Sequence, residues 1–109
     1  MSRLEKINEQ LKRELSGLIN RDIPMDEGLI TITYVKCSPD LRYAKVAVSI
    51  LPDKLYGSAL KKLKKNTAPF SKELKKKLSL KFIPKFNWII DAQEKYAAEI
   101  EKVLAQINE

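Results

Sequence analysis

SALKKLKKNTAPFSKELKKKLSLKFIPKFNWIID, residues 58–91, decides the fold of this chain. Leu60, Leu63, Thr67, Phe70, Leu74 and Leu78 recur at steps of three or four, the period of a helix with one buried stripe. Lys61, Lys62, Lys65, Lys72, Lys75 and Lys76 fall off that stripe, on the exposed side. Pro69 interrupts it. A proline has no N–H to donate, its ring clashes with the preceding turn, and it biases Ala68 away from helical geometry. The stripe then resumes in phase. The pattern predicts two helices joined by a sharp kink at Thr67, Ala68 and Pro69. Ile83 and Pro84 end the helical stretch, and Phe86, Asn87, Trp88, Ile89 and Ile90 predict a strand.

The charge is concentrated in the same stretch. Residues 54–85 hold eleven lysines and one acid, Glu73. That segment carries +10; against a chain total of +7, the remainder is −3. A lysine face kept only for solubility intersperses both signs. A face almost free of acids predicts a polyanionic partner, either a phosphate backbone or an anionic lipid surface.

With 109 residues the chain predicts one domain, residues 1–109, built around one core. A hydrophobic share of 44% predicts a folded protein rather than a disordered one. No apolar run reaches the roughly 18 residues of a membrane-spanning helix, and the opening MSRLEKINEQ lacks a signal-peptide core. Cys37 is the only cysteine. It forms no internal disulfide and predicts a reducing, cytoplasmic setting.

Upstream of the lysine stretch, Ser2 and Glu5 have capping-box spacing. Leu4, Ile7, Leu11, Leu15 and Leu18 mark the buried face of a first helix ending near Asn20, ahead of Pro24 and Gly28. Residues 29–35 are rich in β-branched side chains and predict a strand. Ser38, Pro39, Asp40 and Leu41 form a turn. Residues 42–51 predict a second strand, antiparallel to the first. Its Ala44, Val46, Val48 and Ile50 share one face, and Tyr43, Lys45, Ala47 and Ser49 the other. The helical stripe should pack against the face of Val46 and Val48. Downstream, Asp91 predicts the cap of a last helix, with Tyr96, Ile100, Val103, Leu104 and Ile107 on its apolar face. Helices covering one face of a three-stranded sheet define an α+β class.

Catalytic chemistry finds little purchase here. The chain has no histidine, the commonest general base, and no second cysteine for a zinc site. Its glycines stand apart at 17, 28 and 57, so no phosphate-cradling loop exists. Asp22, Asp26 and Glu27 sit in a loop where surface acids are ordinarily only solvated. Asp40 and Asp91 sit where aspartate serves a turn or a cap. We expect no enzyme, no metal and no cofactor, and we expect Cys37 to be a small packing residue.

Two motifs carry a resemblance. Residues 38–49, SPDLRYAKVAVS, resemble the S-x-D-L-x-x-A-x-V-x-V-S signature of bacterial ribosome-binding factor A. Residues 80–91, LKFIPKFNWIID, resemble its L-R-x-x-P-x-L-x-F-x-x-D segment. Both stand in the family's order. With the amphipathic first helix and the strand around Ile30, Thr31 and Ile32, the resemblance covers nearly the whole chain. It implies a type II K-homology (KH) fold, in the order α-β-β-α-kink-α-β followed by a C-terminal helix. In that family an Ala-x-Gly kink replaces the usual G-x-x-G loop. The kink aligns with Thr67, Ala68 and Pro69, so proline stands here where the family has glycine. Glycine permits close backbone approach of RNA and proline does not, whereas either residue breaks a helix.

The resemblance further implies a non-catalytic, monomeric assembly factor. Such proteins bind the small ribosomal subunit and its RNA during late maturation, support growth in the cold, and leave before translation starts. On that reading the candidate RNA-binding residues are Lys61, Lys62, Lys65, Asn66, Ser71, Lys72, Lys75 and Lys76. Lys81 and Lys85 extend the surface toward the third strand, and Arg3 and Lys6 frame it. The phosphates would be held without reading bases. Two alternatives stay open. One is a basic peripheral protein of a membrane surface, which conflicts with the need for Leu60, Leu63, Phe70 and Leu74 in the core. The other is a general binder of single-stranded nucleic acid, which needs stacking aromatics on the basic face; the helical stretch offers only Phe70, on its buried stripe.

Overall fold

Ser2 opens the first helix by accepting the Glu5 backbone N–H on its hydroxyl at 3.1 Å. The structure, a computed structural model, describes residues 2–25 and 28–91. The C-terminal helix expected after Asp91, together with Asp26 and Glu27, lies outside the described residues. Helix α1 runs Arg3–Asp22, slightly past the expected end at Asn20. The Ile23 N–H closes the last turn on the Ile19 carbonyl at 2.8 Å, and both isoleucines are buried, so packing carries the helix beyond the loop signals.

Strands β1 (Leu29–Cys37) and β2 (Tyr43–Leu51) pair antiparallel. Ser38 closes the turn between them: its hydroxyl donates to Asp40, while Leu41 takes a φ of 62°. A register shift between Ile32 and Tyr34 marks a bulge at Thr33, whose hydroxyl donates to the Ala47 carbonyl at 3.2 Å. Strand β3 (Lys85–Ile90) pairs parallel to β2, giving the sheet order β1-β2-β3. A parallel pair needs a crossover, and helix α2 (Tyr56–Lys77) supplies it, entered through a 3₁₀ turn at Asp53–Leu55.

One correction concerns α2. The chain does not split into two helices at residues 67–69; one helix continues through Pro69. Proline removes the bond to the Lys65 carbonyl and costs a helix interior about 3 kcal/mol or more. Pro69 is exposed, however, so water can take that carbonyl. Leu63, Phe70 and Leu74 are fully buried on the opposite side, and each contributes roughly 1.5–3 kcal/mol by leaving water. Three such side chains outweigh one lost bond, and the helix holds. Leu60 and Leu78 are only partly buried, and Ala59 takes a place in the stripe.

Both helices cover one face of the sheet. Leu11 and Leu15 of α1 and Leu63, Phe70 and Leu74 of α2 meet Ala44, Val46, Val48 and Ile50 in one core. Phe86 and Trp88 add the inner face of β3, their rings tilted at 50°. Cys37 is buried there, with its backbone N–H donating to Asn8 at 2.9 Å and burial raising its thiol pKa. Ala47, expected to face outward, is nonetheless fully buried, because Tyr34 and Ile89 flank it in register on the neighbouring strands.

Candidate nucleic-acid interface

The buried stripe of α2 fixes where its lysines point. Lys61, Lys65, Lys72 and Lys76 lie on the side opposite Leu63, Phe70 and Leu74, and all four are exposed. They form one ridge along the helix, with Ala68 and Pro69 exposed at its middle. Lys62 flanks the ridge on one side and Lys75 on the other. Lys64, which the sequence reading passed over, joins the flank of Lys75. None of these lysines forms an ion pair with a described residue.

Glu73 is the one acid of the segment, and α1 holds it. Arg21 grips it with two nitrogens, Nη2 donating to Oε1 at 2.7 Å and Nη1 to Oε2 at 3.1 Å. The same guanidinium donates to both carboxylate oxygens of Asp22 at 2.7 Å. These bonds hold the Glu73 and Asp22 carboxyls below the usual carboxylate range and raise the arginine further. The acid nearest the ridge is thus held toward α1. Lys77, beyond the ridge, is drawn to Glu14 of α1 at 3.7 Å. The two contacts run α1 and α2 in opposite senses, which sends exposed Arg3 and Lys6 past the C-terminal end of α2.

A polar chain anchors the helix one turn ahead of Pro69. Thr67 donates its hydroxyl to the Leu63 carbonyl at 2.8 Å and accepts the Trp88 indole N–H at 2.8 Å. Asn66 donates its amide to the Lys62 carbonyl at 2.8 Å. That use, with half-burial, keeps Asn66 off the ridge; Ser71 is half-buried on the other flank. Lys81 stands in the loop after α2, its ammonium 5.7 Å from the centroid of the exposed Phe82 ring. Lys85 opens β3 between the loop and inward-facing Phe86, so its side chain turns to the sheet face away from the helices. The structure therefore gathers six of the ten candidates on or beside the α2 ridge and sets Lys85 on the opposite face.

Among the described residues there is no group of three metal-ligating side chains, and no helix is long and apolar enough to cross a membrane. Asp22 is engaged by Arg21 instead.

The family model for ribosome-binding factor A matches residues 3–104. Ribosome-binding factor A of Caldicellulosiruptor bescii is 35% identical over 111 residues, spanning 97% of this chain and 84% of that protein. The crystal structure of ribosome-binding factor A from Thermus thermophilus superposes with a TM-score of 0.69 at 21% identity, covering 80% of this chain and 93% of that one. A homology model of the T. thermophilus factor, fitted into an electron-microscopy map of a 30S complex with it, gives a TM-score of 0.64 at 21% identity, over 75% and 88% of the two chains. The match across almost every residue, on the same arrangement of helices over a three-stranded sheet, makes this chain a member of the ribosome-binding factor A family.

Proposed function

We propose that this chain is a ribosome assembly factor that docks on the small ribosomal subunit, through its RNA, late in subunit maturation. It acts by binding, without catalysis, as a monomeric single domain in the cytoplasm. The observation that carries this reading is the α2 ridge: Lys61, Lys65, Lys72 and Lys76 along one exposed side, none in an ion pair with a described residue, with Glu73 tied off by Arg21. Such a ridge meets a phosphate backbone as a row of point charges and releases its counterions. The complex of the T. thermophilus relative with the 30S subunit supplies the partner. Support of growth in the cold and departure before translation complete the proposal. The membrane-surface alternative loses its main element, because the apolar side of α2 is buried in the core and has nothing to insert.

Co-sedimentation tests the reading. The full chain should pellet with purified small subunits, and more with immature than with mature ones. It should stay in the supernatant with anionic lipid vesicles. Pelleting with vesicles and not with subunits would overturn it.

A further inference from the structure

The sheet face turned away from the helices carries a second concentration of positive charge. Its outward positions set Lys36 on β1 directly opposite Lys45 on β2. In the neighbouring β2–β3 rows, Tyr43 lies opposite Lys85 and Asn87 opposite Lys45. Tyr34 follows one row further along, opposite Ala47. Both tyrosines are open to solvent, Tyr43 at 61% and Tyr34 at 41%. The three lysines are exposed and form no ion pair with a described residue. No acid occupies an outward position on any of the three strands.

Folding alone gives no reason for the opposed lysines or for the exposed Tyr43 ring. Like charges directly opposite on neighbouring strands, with Cβ atoms roughly 5 Å apart, repel and destabilise the pair. Tyr34 covers Ala47 across the β1–β2 pair, whereas the Tyr43 ring, 61% open to solvent, removes little apolar surface from water. Lys36, Tyr43, Lys45 and Asn87 line a shallow concavity of about 430 Å³. Rings interleaved with ammonium groups on an open sheet suit an unpaired nucleic-acid strand. Bases stack on the ring faces whatever their sequence, and the lysines hold the phosphates between. The Asn87 amide can both donate to and accept from a base edge.

We propose that the outer sheet face is a second RNA contact, which takes an unpaired stretch whose bases stack on Tyr43 and Tyr34 while Lys36, Lys45 and Lys85 hold its phosphates. The proposal rests on the reading of this chain as a binder of ribosomal RNA, and adds that RNA is engaged on two opposite faces. The α2 ridge offers charge without exposed rings and accepts any backbone. The sheet selects strands with free base faces, which a duplex does not present.

The probe is a mixed-sequence single-stranded oligoribonucleotide of about eight nucleotides, within the range one small domain covers. It is titrated into the full chain and followed by amide chemical shifts. Shifts should cluster on β1, β2 and β3. Tyr43→Ala should weaken binding about tenfold, the usual scale for one stacked base, while Tyr43→Phe should match the wild type. The double variant Lys36→Gln, Lys45→Gln should bind more weakly yet melt no earlier, since it removes a repulsion. Heparin, a polyanion without bases, should bind Tyr43→Ala and the wild type alike. Shifts confined to α2, an undiminished Tyr43→Ala, an equal loss of heparin and RNA binding in that variant, or no binding of the oligonucleotide would each overturn the second contact. Subunit co-sedimentation judges the first reading separately, because it depends on the α2 ridge whether or not this face takes RNA.

Discussion

Trp88 donates its indole N–H to the Thr67 hydroxyl at 2.8 Å, and that hydroxyl donates in turn to the Leu63 carbonyl at 2.8 Å. A residue of β3 thereby holds the turn of α2 that precedes Pro69. Thr67→Val keeps the shape but leaves the indole N–H without a partner, and an unsatisfied buried donor costs about 1–3 kcal/mol. Chemical denaturation should show a loss of that size, and Thr67→Ser should recover most of it. Equal stability of Thr67→Val and wild type would mean that the bond contributes nothing net.

The α2 stripe and the alternation in β2 were legible in the sequence because both are local periods. Leu63, Thr67, Phe70 and Leu74 return every three or four residues, and Val46 and Val48 every second residue. The unbroken passage of α2 through Pro69 was not legible, since it depends on how much burial the stripe achieves against the sheet. The grip of Arg21 on Glu73 spans 52 residues and leaves no local signal. The position of Lys85 could have been read: if Phe86 and Trp88 face inward, Lys85 and Asn87 must face outward. The opposition of Lys36 and Lys45 needed the strand register, which the bulge at Thr33 shifts by one residue.

Phe70 is the largest fully buried side chain among the described residues. Phe70→Ala should destabilise the protein by about 3–5 kcal/mol, the range for truncating a buried aromatic. Urea unfolding would measure it. A change below about 1 kcal/mol would place the ring outside the core, since only surface substitutions ordinarily cost so little.

Pro69 sits in the interior of α2 on its exposed side. Pro69→Ala restores an N–H for the Lys65 carbonyl and removes the ring clash, and should stabilise the helix by up to about 3 kcal/mol. An upward shift in melting temperature with unchanged spectra checks this. A downward shift would show that the surrounding packing requires the proline ring.

Acid should loosen the contact between the helices. The carboxyls of Glu73 and Asp22 titrate below their usual range because Arg21 donates hydrogen bonds to both. In the unfolded chain they return to the ordinary range near pH 4. Between the two values the unfolded state binds more protons, so stability rises with pH there. This contribution is present at neutral pH and is lost as pH falls through the lowered folded values. Melting temperature against pH should fall steeply below about pH 4 in the wild type and less steeply in Arg21→Gln. Asp40, lowered by the Ser38 hydroxyl, leaves a residual slope in both. Equal steepness in the two proteins would remove Arg21 from the account.

The salt dependence of small-subunit binding tests the central claim most directly. Each phosphate contact contributes about 0.7–0.9 to the slope of log affinity against log salt concentration. Replacing Lys61, Lys65, Lys72 and Lys76 by glutamine should weaken binding strongly at low salt and reduce the slope by about 3. Stability should change little, within about 0.5 kcal/mol for each exposed lysine. Replacing Lys12, Lys95 and Lys102, which stand among acids in the sequence, should leave both affinity and slope near the wild-type values. An unchanged slope in the first variant, or an equal loss in the two, would contradict the α2 ridge as the RNA-binding surface.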